Sequence, residues 1–216
     1  MPEYPIEERP RYAVLVPVKP PAFAKSRLAS VGDPGRVDLA AAFAADTVAA
    51  ALDCPAVARV LVVTDDHVLA RSMSDLGAAV LPDGISDDLN GTLVQAAAEM
   101  HRQHPSLGLV ALCADLPALR PEQLDEALGS ADPTRMSFVA DREGEGTTAV
   151  VAPAVETFRP AFGEGSRRRH LAAGAVEIVV DVPTLRRDVD DADDLAEALQ
   201  LGVGPRTSLV ATTLRL

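Results

Sequence analysis

Apolar positions in this chain come in two kinds of run that take turns. The short kind is uninterrupted and rich in Val: "YAVLVPV" (Tyr12–Val18), "RVLVVTDD" (Arg59–Asp66), "AAVLPD" (78–83) and "LGLVALCADLP" (Leu107–Pro117). A strand with one wet face would alternate apolar and polar residues, whereas unbroken runs of this length predict strands buried on both faces, as in parallel sheets. The longer kind has helical spacing. "GRVDLAAAFAADTVAAAL" (Gly35–Leu52) is Ala-rich and sets Leu39, Phe43, Thr47 and Val48 on one face. "HVLARSMSDL" predicts a short helix stopped at Gly77, "DDLNGTLVQAAAEMHRQH" (Asp87–His104) opens on Asp/Asn capping chemistry, and "RPEQLDEAL" puts Pro121 in a first helical turn.

After Leu128 the rhythm changes. "RMSFVADREGEGTTAVVAP" predicts strand, Gly-rich turn and strand; "FGEGSRRRHLAAGAV" a Gly turn and a short helix with Ser166 suited to cap it; "EIVVDVP" a strand; "DVDDADDLAEALQLG" an acidic turn and a helix ending at Gly202. The alternation of strand and helix in the first half implies right-handed crossovers and a mostly parallel sheet. The pattern therefore predicts one α/β domain over 11–204, a mostly parallel mixed sheet flanked by helices. A polar, Pro-rich N-terminal tail over 1–10 and a C-terminal tail over 205–216 flank it, and no element is assigned to the latter.

Composition narrows the class. A length of 216 residues suffices for one well-cored domain, and 48% hydrophobic with 24% charged residues is the usage of a soluble globular protein. Aromatics are 3% and Trp is absent, so Ala, Val and Leu must fill the core. No apolar run reaches the roughly 18–20 residues that span a bilayer, and the N-terminus lacks a signal pattern. We expect a cytoplasmic protein without membrane association. Cys54 and Cys113 stand alone, outside any metal-binding spacing. The net charge of −12 argues against a nucleic-acid partner.

One window departs from that acidity. Arg9 to Gly32 holds no acid, although 24 positions at the average density of 32 acids in 216 residues would hold about 3.6. It contains "VPVKPPAFAKSRLAS", with Lys19, Lys25 and Arg27 directly after the first strand. In open α/β sheets, ligands bind at the carboxyl ends of strands. A Lys point charge and an Arg fork there suit a chain of phosphates, although K-x-R alone also fits a solvated loop. The phosphate-binding GxxxxGK[ST] and dinucleotide-binding GxGxxG patterns are absent from this position. Further polar residues follow other strands: Asp65–Asp66, Leu89–Asn90–Gly91, Asp115, Asp141–Thr148 and Asp188–Asp190. Asp115 ends a buried strand, where a carboxylate needs a cation or good hydrogen bonds. Mg²⁺ takes one or two protein carboxylates plus phosphate oxygens, and Asp188 or Asp190 offers the second. Asp191, Asp193, Asp194 and Glu197 read as cap and first-turn acids of the last helix. "GEGTT" serves equally as a hairpin turn or as an anion cradle. Arg167–Arg169 are either solvated arginines or a second anion site, which His170 could assist.

The series "PVK…AKSRLA", "DLP", "FVADREGEGTTAV", "FGEGSRRRHLAAGA" and "RRDVDDADDL" resembles the CofC-type guanylyltransferases of coenzyme F420 biosynthesis, which act on phosphoenolpyruvate or 2-phospholactate. The resemblance spans about residues 12 to 204. It implies a single-domain nucleotidyltransferase fold, GT-A-like and Rossmann-like, that joins GTP to a three-carbon phospho-acid with release of pyrophosphate. It further implies that Lys19, Lys25 and Arg27 face the triphosphate, that Asn90 and Gly91 lie near the base or ribose, and that Thr148, Gly163 and Ser166 contact the acceptor. Lys25, Arg27 and Asp115 would be the catalytic residues, and Asp115 with Asp188 or Asp190 would hold Mg²⁺. Phosphoenolpyruvate is the favoured acceptor. 2-Phospholactate, 3-phosphoglycerate, a same-fold transferase for another acceptor and a catalytically idle nucleotide-binding module stay open, as does a homodimer.

Overall fold

The computed structural model describes residues 11–20, 28, 32–84 and 88–216. Lys25 and Arg27 lie outside the described residues, and Lys19, the remaining basic residue of that window considered above, is exposed just beyond the first strand.

Among the described residues, seven strands form one sheet in the order β3-β2-β1-β4-β6-β5-β7. They are β1 (Tyr12–Pro17), β2 (Val57–Val63), β3 (Ala79–Leu81), β4 (Gly108–Leu112), β5 (Ser137–Ala140), β6 (Thr147–Ala152) and β7 (Val176–Glu177). β1 pairs in parallel with both β2 and β4, and β2 with β3, so the Val-rich runs occupy the sheet centre as their lack of alternation predicts. β6 alone runs the other way, antiparallel to both of its neighbours.

Side chains of the central strands alternate between two cores. Val14, Val16, Val60, Val62, Val110 and Leu112 pack under α1 (Gly32–Asp53), α2 (His67–Asp75) and α4 (Pro121–Gly129). Ala13, Leu15, Leu61, Val63, Leu109 and Ala111 pack under α3 (Leu89–Gln103), together with Phe138, Phe158 and Phe162. The Ala-rich α1 can therefore lie close to the sheet, and Leu39, Phe43, Thr47 and Val48 are all fully buried.

Two parts of the C-terminal half depart from the sequence pattern. The strand expected over "EIVVDVP" shrinks to β7, because Arg186 takes up the backbone beyond it: its Nη2 donates to Ile178 O at 2.7 Å and Val180 O at 3.4 Å, and its Nη1 to Ala140 O at 2.9 Å. Pro183, which has no N–H to give a ladder, then opens the short helix α6 (Pro183–Arg186). α5 (Ser166–Ala172) precedes β7, and α7 (Ala192–Leu201) follows the acidic turn.

Residues 205–214, left without an element by the pattern, form α8 (Pro205–Leu214). Its orphan N-terminal amides find an acceptor far away in sequence. Buried Asp46 on α1 accepts from Arg206 N at 3.2 Å and Thr207 N at 2.7 Å. Gly204 lets the two segments meet, since a Cβ there would overlap the Asp46 carboxyl. A third core cluster of Leu28, Leu39, Phe43, Val189 and Leu195 joins α1 and α7 beneath the acidic turn, with Val210 and Leu214 of α8 packed against it.

Candidate active site

The parallel strands all end at one edge of the sheet, and the reversed β6 begins there. That edge gathers Lys19 after β1, Asp65 and Asp66 after β2, Asp83 after β3, Asp115 after β4, Asp141 after β5, and Thr147 and Thr148 at the start of β6. The turn holding Asp188 and Asp190 joins them through Val189 N, which donates to Asp115 O at 3.0 Å.

Not every acid on this edge is available for chemistry. Asp66 caps α2 by accepting from Val68 N and Leu69 N, each at 2.9 Å. Asp65 accepts from Asp83 N at 2.9 Å and ties β2 to β3. Asp141 folds the β5–β6 turn around itself, accepting from Glu145 N at 2.9 Å and Gly146 N at 2.7 Å. Gly146 is required there because a Cβ would collide with the Asp141 carboxylate. This Asp-to-Gly turn explains "DREGEG", and the offset between Asp141 and Gly146 was its signal in the sequence.

Asp115, Asp188 and Asp190 are different. Burial first, then the nearby charges of Asp115 and Asp190, push the Asp188 carboxyl up to about 7, and Asp141 adds to the effect. Crowded carboxylates of this kind are relieved by a cation. Among the described residues no three acids, histidines or cysteines close on a single point that could hold a metal. Asp115 with Asp188 or Asp190 is a donor set of the size that Mg²⁺ takes from a protein when substrate oxygens complete its shell.

The acids beyond Asp190 belong to the scaffold, as expected for a helix start. Asp191 and Asp194 form a capping box on α7. Arg187, which the sequence did not single out, lies buried beside Asp188. It donates to Asp194 Oδ1 at 2.7 Å, Glu197 Oε2 at 2.8 Å and Glu143 Oε1 at 3.3 Å. Arg142 reaches the same Glu197, and Arg142 N donates to Arg186 O at 3.0 Å. The acidic turn is thus pinned both to α7 and to the β5–β6 turn.

Thr148 owes its position to a β-bulge. Val139 pairs with Ala149 but Ala140 with Thr147, so Thr148 is the extra residue on β6. Its backbone carbonyl accepts from Cys113 N at 2.9 Å. Its Oγ1 is buried with no hydrogen-bond partner among the described residues, a state native structures rarely leave without a ligand or water.

Gly163 lies in the loop that enters α5, and Ser166 stands at the start of that helix. Gly163 at φ +118° and Gly165 at φ +64° take backbone conformations that favour glycine. Ser166 does not cap α5 as its type suggested. Gly165 holds the cap position, and Ser166 is the first helical residue, its side chain buried. His170, four residues on, shares that buried face. Its Nε2 accepts from Ala161 N at 2.9 Å, which leaves Nδ1 as the protonated nitrogen, and Nδ1 donates to Thr147 Oγ1 at 3.0 Å. Burial first, then the charge of Arg169, hold its pKa down at about 4, so it is a neutral structural ring.

The arginine run is chiefly scaffold too. Arg167 grips Glu177 with Nη2 at 2.9 Å and Nε at 3.1 Å, while Arg169 donates twice to Ala161 O, at 3.1 and 3.0 Å. All three arginines line a cavity of about 550 Å³ with Gly144, Glu145, Glu164 and Gly165. Asn90, expected near base or ribose, bonds the Phe162 backbone: Phe162 N donates to Oδ1 at 2.8 Å and Nδ2 donates to Phe162 O at 3.1 Å. Gly91 N donates to the α3 cap Asp88 at 3.0 Å.

Comparison with known proteins places the chain in a family and its fold among solved structures. The family model described as "Guanylyl transferase CofC like" matches residues 12–215. A protein named phosphoenolpyruvate guanylyltransferase from Thermomonospora curvata is 50% identical over 201 residues, covering 93% of this chain and 88% of its own length. One of the same name from Streptomyces coelicolor is 48% identical, covering 94% and 97%. Among solved structures, a nucleotidyl transferase from Methanothermobacter superposes with a TM-score of 0.59 at 16% identity, over 88% of this chain and 97% of that one. 4-Diphosphocytidyl-2C-methyl-D-erythritol synthase does so with a TM-score of 0.59 at 13% identity, over 88% and 99%. At these identities the structures speak for the fold, a nucleotidyltransferase α/β sheet. The near full-length family match, with relatives at about half identity, goes further: this chain is a nucleotidyltransferase and belongs to the CofC-like guanylyltransferase family.

Proposed function

We propose that the protein transfers GMP from GTP to phosphoenolpyruvate and releases pyrophosphate, as a step of coenzyme F420 biosynthesis. The observation that carries this reading is the crowding of Asp115, Asp188 and Asp190 on the carboxyl edge, where β6 also carries the buried Thr148 hydroxyl, without a hydrogen-bond partner among the described residues. The acceptor follows the name of the Thermomonospora and Streptomyces relatives.

In this reading a phosphate oxygen of the acceptor attacks the α-phosphorus of GTP. The bond from that phosphorus to the bridging oxygen breaks, and pyrophosphate leaves in line. A phosphate monoester is already ionised at neutral pH, so no general base is needed, consistent with His170 being a neutral, fully engaged ring. The barrier is electrostatic, since two polyanions must meet. Lys19, Lys25 and Arg27 supply fixed positive charge to the triphosphate. Thr148 Oγ1, the backbone at Gly163 and Ser166 orient the acceptor, which lowers the entropy cost of the encounter. Asp115, with Asp188 or Asp190, would hold Mg²⁺, which when bound supplies charge neutralisation at the phosphates.

The test is an assay of pyrophosphate release with GTP, Mg²⁺ and, in turn, phosphoenolpyruvate, 2-phospholactate and 3-phosphoglycerate. Release is expected with phosphoenolpyruvate and GTP. Release with CTP or UTP in place of GTP would move the protein to another nucleotide, and none with any three-carbon phospho-acid would overturn the reading.

A further inference from the structure

We infer that Asn90 is a positioning residue for the acceptor pocket rather than a ligand of the nucleotide, an inference that rests on the acceptor reading of Gly163 and Ser166 above. The segment Arg159–Gly165 crosses from the core to α5 without helix or strand. Its backbone polar groups must find partners elsewhere. At Ala161 and Phe162 all four are taken by side chains. Ala161 N donates to His170 Nε2 at 2.9 Å, and Ala161 O accepts from Arg169 Nε and Nη2 at 3.1 and 3.0 Å. Phe162 N and Phe162 O are both taken by the one amide of Asn90, at 2.8 and 3.1 Å.

A planar amide that donates to and accepts from the same residue reproduces the paired bonds of an antiparallel ladder. Only Asn or Gln can do this, and Gln is one methylene longer. Asn90 stands in the first turn of α3, so the clip joins that helix to a loop 72 residues later in the chain. Gly163 follows immediately, and Ser166 N donates back to Gly163 O at 3.0 Å. The Phe162 ring adds an anchor: it is buried in the core under α3 and meets the His170 ring edge-on at 5.8 Å. His170 in turn reaches Thr147, the neighbour of Thr148. Each acceptor residue is therefore within a few residues of one clamp, of which Asn90 is the member furthest away in sequence. The orienting bonds use one N–H and one lone pair of its amide on Phe162, and both point at the acceptor loop.

The experiment is steady-state kinetics of Asn90→Ala, Asn90→Asp and Asn90→Gln, with each substrate varied at saturation of the other. Displacing a substrate-positioning loop by an ångström costs up to about 100-fold, so Asn90→Ala is expected to raise the KM for phosphoenolpyruvate about 10-fold, with the KM for GTP within about 2-fold of wild type. Asn90→Asp keeps the acceptor for Phe162 N–H but sets a carboxylate oxygen against Phe162 O, so it should share the defect, and Asn90→Gln should recover part of it. A raised GTP KM with an unchanged phosphoenolpyruvate KM would make Asn90 a nucleotide ligand and overturn the inference, as would wild-type values for both. If the wild-type protein turns over no acceptor, it is the proposed function that falls. The clip is then decided by hydrogen exchange at the Phe162 amide, expected at least 10-fold faster in Asn90→Ala with β1 and β4 amides unchanged. Equal exchange overturns it.

Discussion

Single side chains on the carboxyl edge differ in what the fold asks of them. Asp66, Asp141 and Asp191 each accept two backbone N–H groups, which makes them builders of turns and caps. Asp188 lies buried in a like-charged neighbourhood with Asp115 and Asp190. Asp115→Asn keeps the shape and removes the charge. It should lower Mg²⁺-dependent pyrophosphate release by about 100-fold or more, in the range of a lost electrostatic contact at the reacting centre, while thermal unfolding shifts by only a few degrees. Wild-type turnover in that variant would remove Asp115 from the mechanism. His170 makes the opposite kind of prediction. Its folded pKa of about 4 lies below the ordinary histidine value of 6.5. Below pH 6.5 the unfolded chain binds a proton that the folded ring refuses, so stability falls as pH drops from 6.5 toward 4, by on the order of 3 kcal/mol. Unfolding free energies measured between pH 7 and 4.5 should show a shallower loss in His170→Gln than in wild type, and equal slopes would contradict the assignment.

Elements succeed where their reason is local and fail where it is distant. The central strands, α1, α3 and the Pro121 helix were legible because period and capping residues are local signals. β7 was overread, because "EIVVDVP" has strand composition but its carbonyls are taken by Arg186. α8 was missed. Its sequence has weak amphipathicity, and its N-terminal amides depend on Asp46, 160 residues earlier. Asp46→Ala would leave Arg206 N and Thr207 N without their acceptor, in a place where Thr207 is fully buried. Losing such bonds costs about 1–3 kcal/mol, which for a chain of this size lowers Tm by about 2–4 °C per kcal/mol. A Tm drop of about 5 °C, with faster amide exchange confined to α8 and the adjoining turn of α1, is expected by calorimetry and exchange measurements. An unchanged Tm would show that the cap contributes nothing.

At the scale of the whole molecule, the site exists because several segments distant in sequence deliver acids to one edge: β4 brings Asp115, β5 brings Asp141, and the turn before α7 brings Asp188 and Asp190. The resulting elevation of the Asp188 carboxyl has a sign that can be tested. A carboxyl raised to about 7 loses folded-state stability as pH climbs from about 4 to 7, because the unfolded chain ionises first. A divalent cation that prefers the ionised form should therefore displace a proton when it binds near pH 7. Titration of Mg²⁺ by calorimetry in buffers of differing ionisation enthalpy should show about half a proton released at pH 7 and almost none at pH 8.5. Asp188→Asn should abolish the difference. No proton release at pH 7 in the wild type would place the metal away from this cluster.

The sequence by itself determined the alternation of strands and helices from β1 through α4, the parallel centre of the sheet, and the motifs that carry the family. Each of these rests on residue spacing within a few turns or on short runs, and local sterics and burial read such spacing directly. Tertiary structure alone decided which polar residues are used up before a ligand arrives. It set Thr148 on a bulge, moved the cap of α5 from Ser166 to Gly165, clipped Asn90 to the Phe162 backbone, and buried Arg187 among three acids. The reason is the same in each case. A hydrogen bond between groups far apart in the chain leaves no period in the sequence, yet in a buried site it fixes a side chain's role, because an unmet donor or acceptor there costs more than almost any local preference can return.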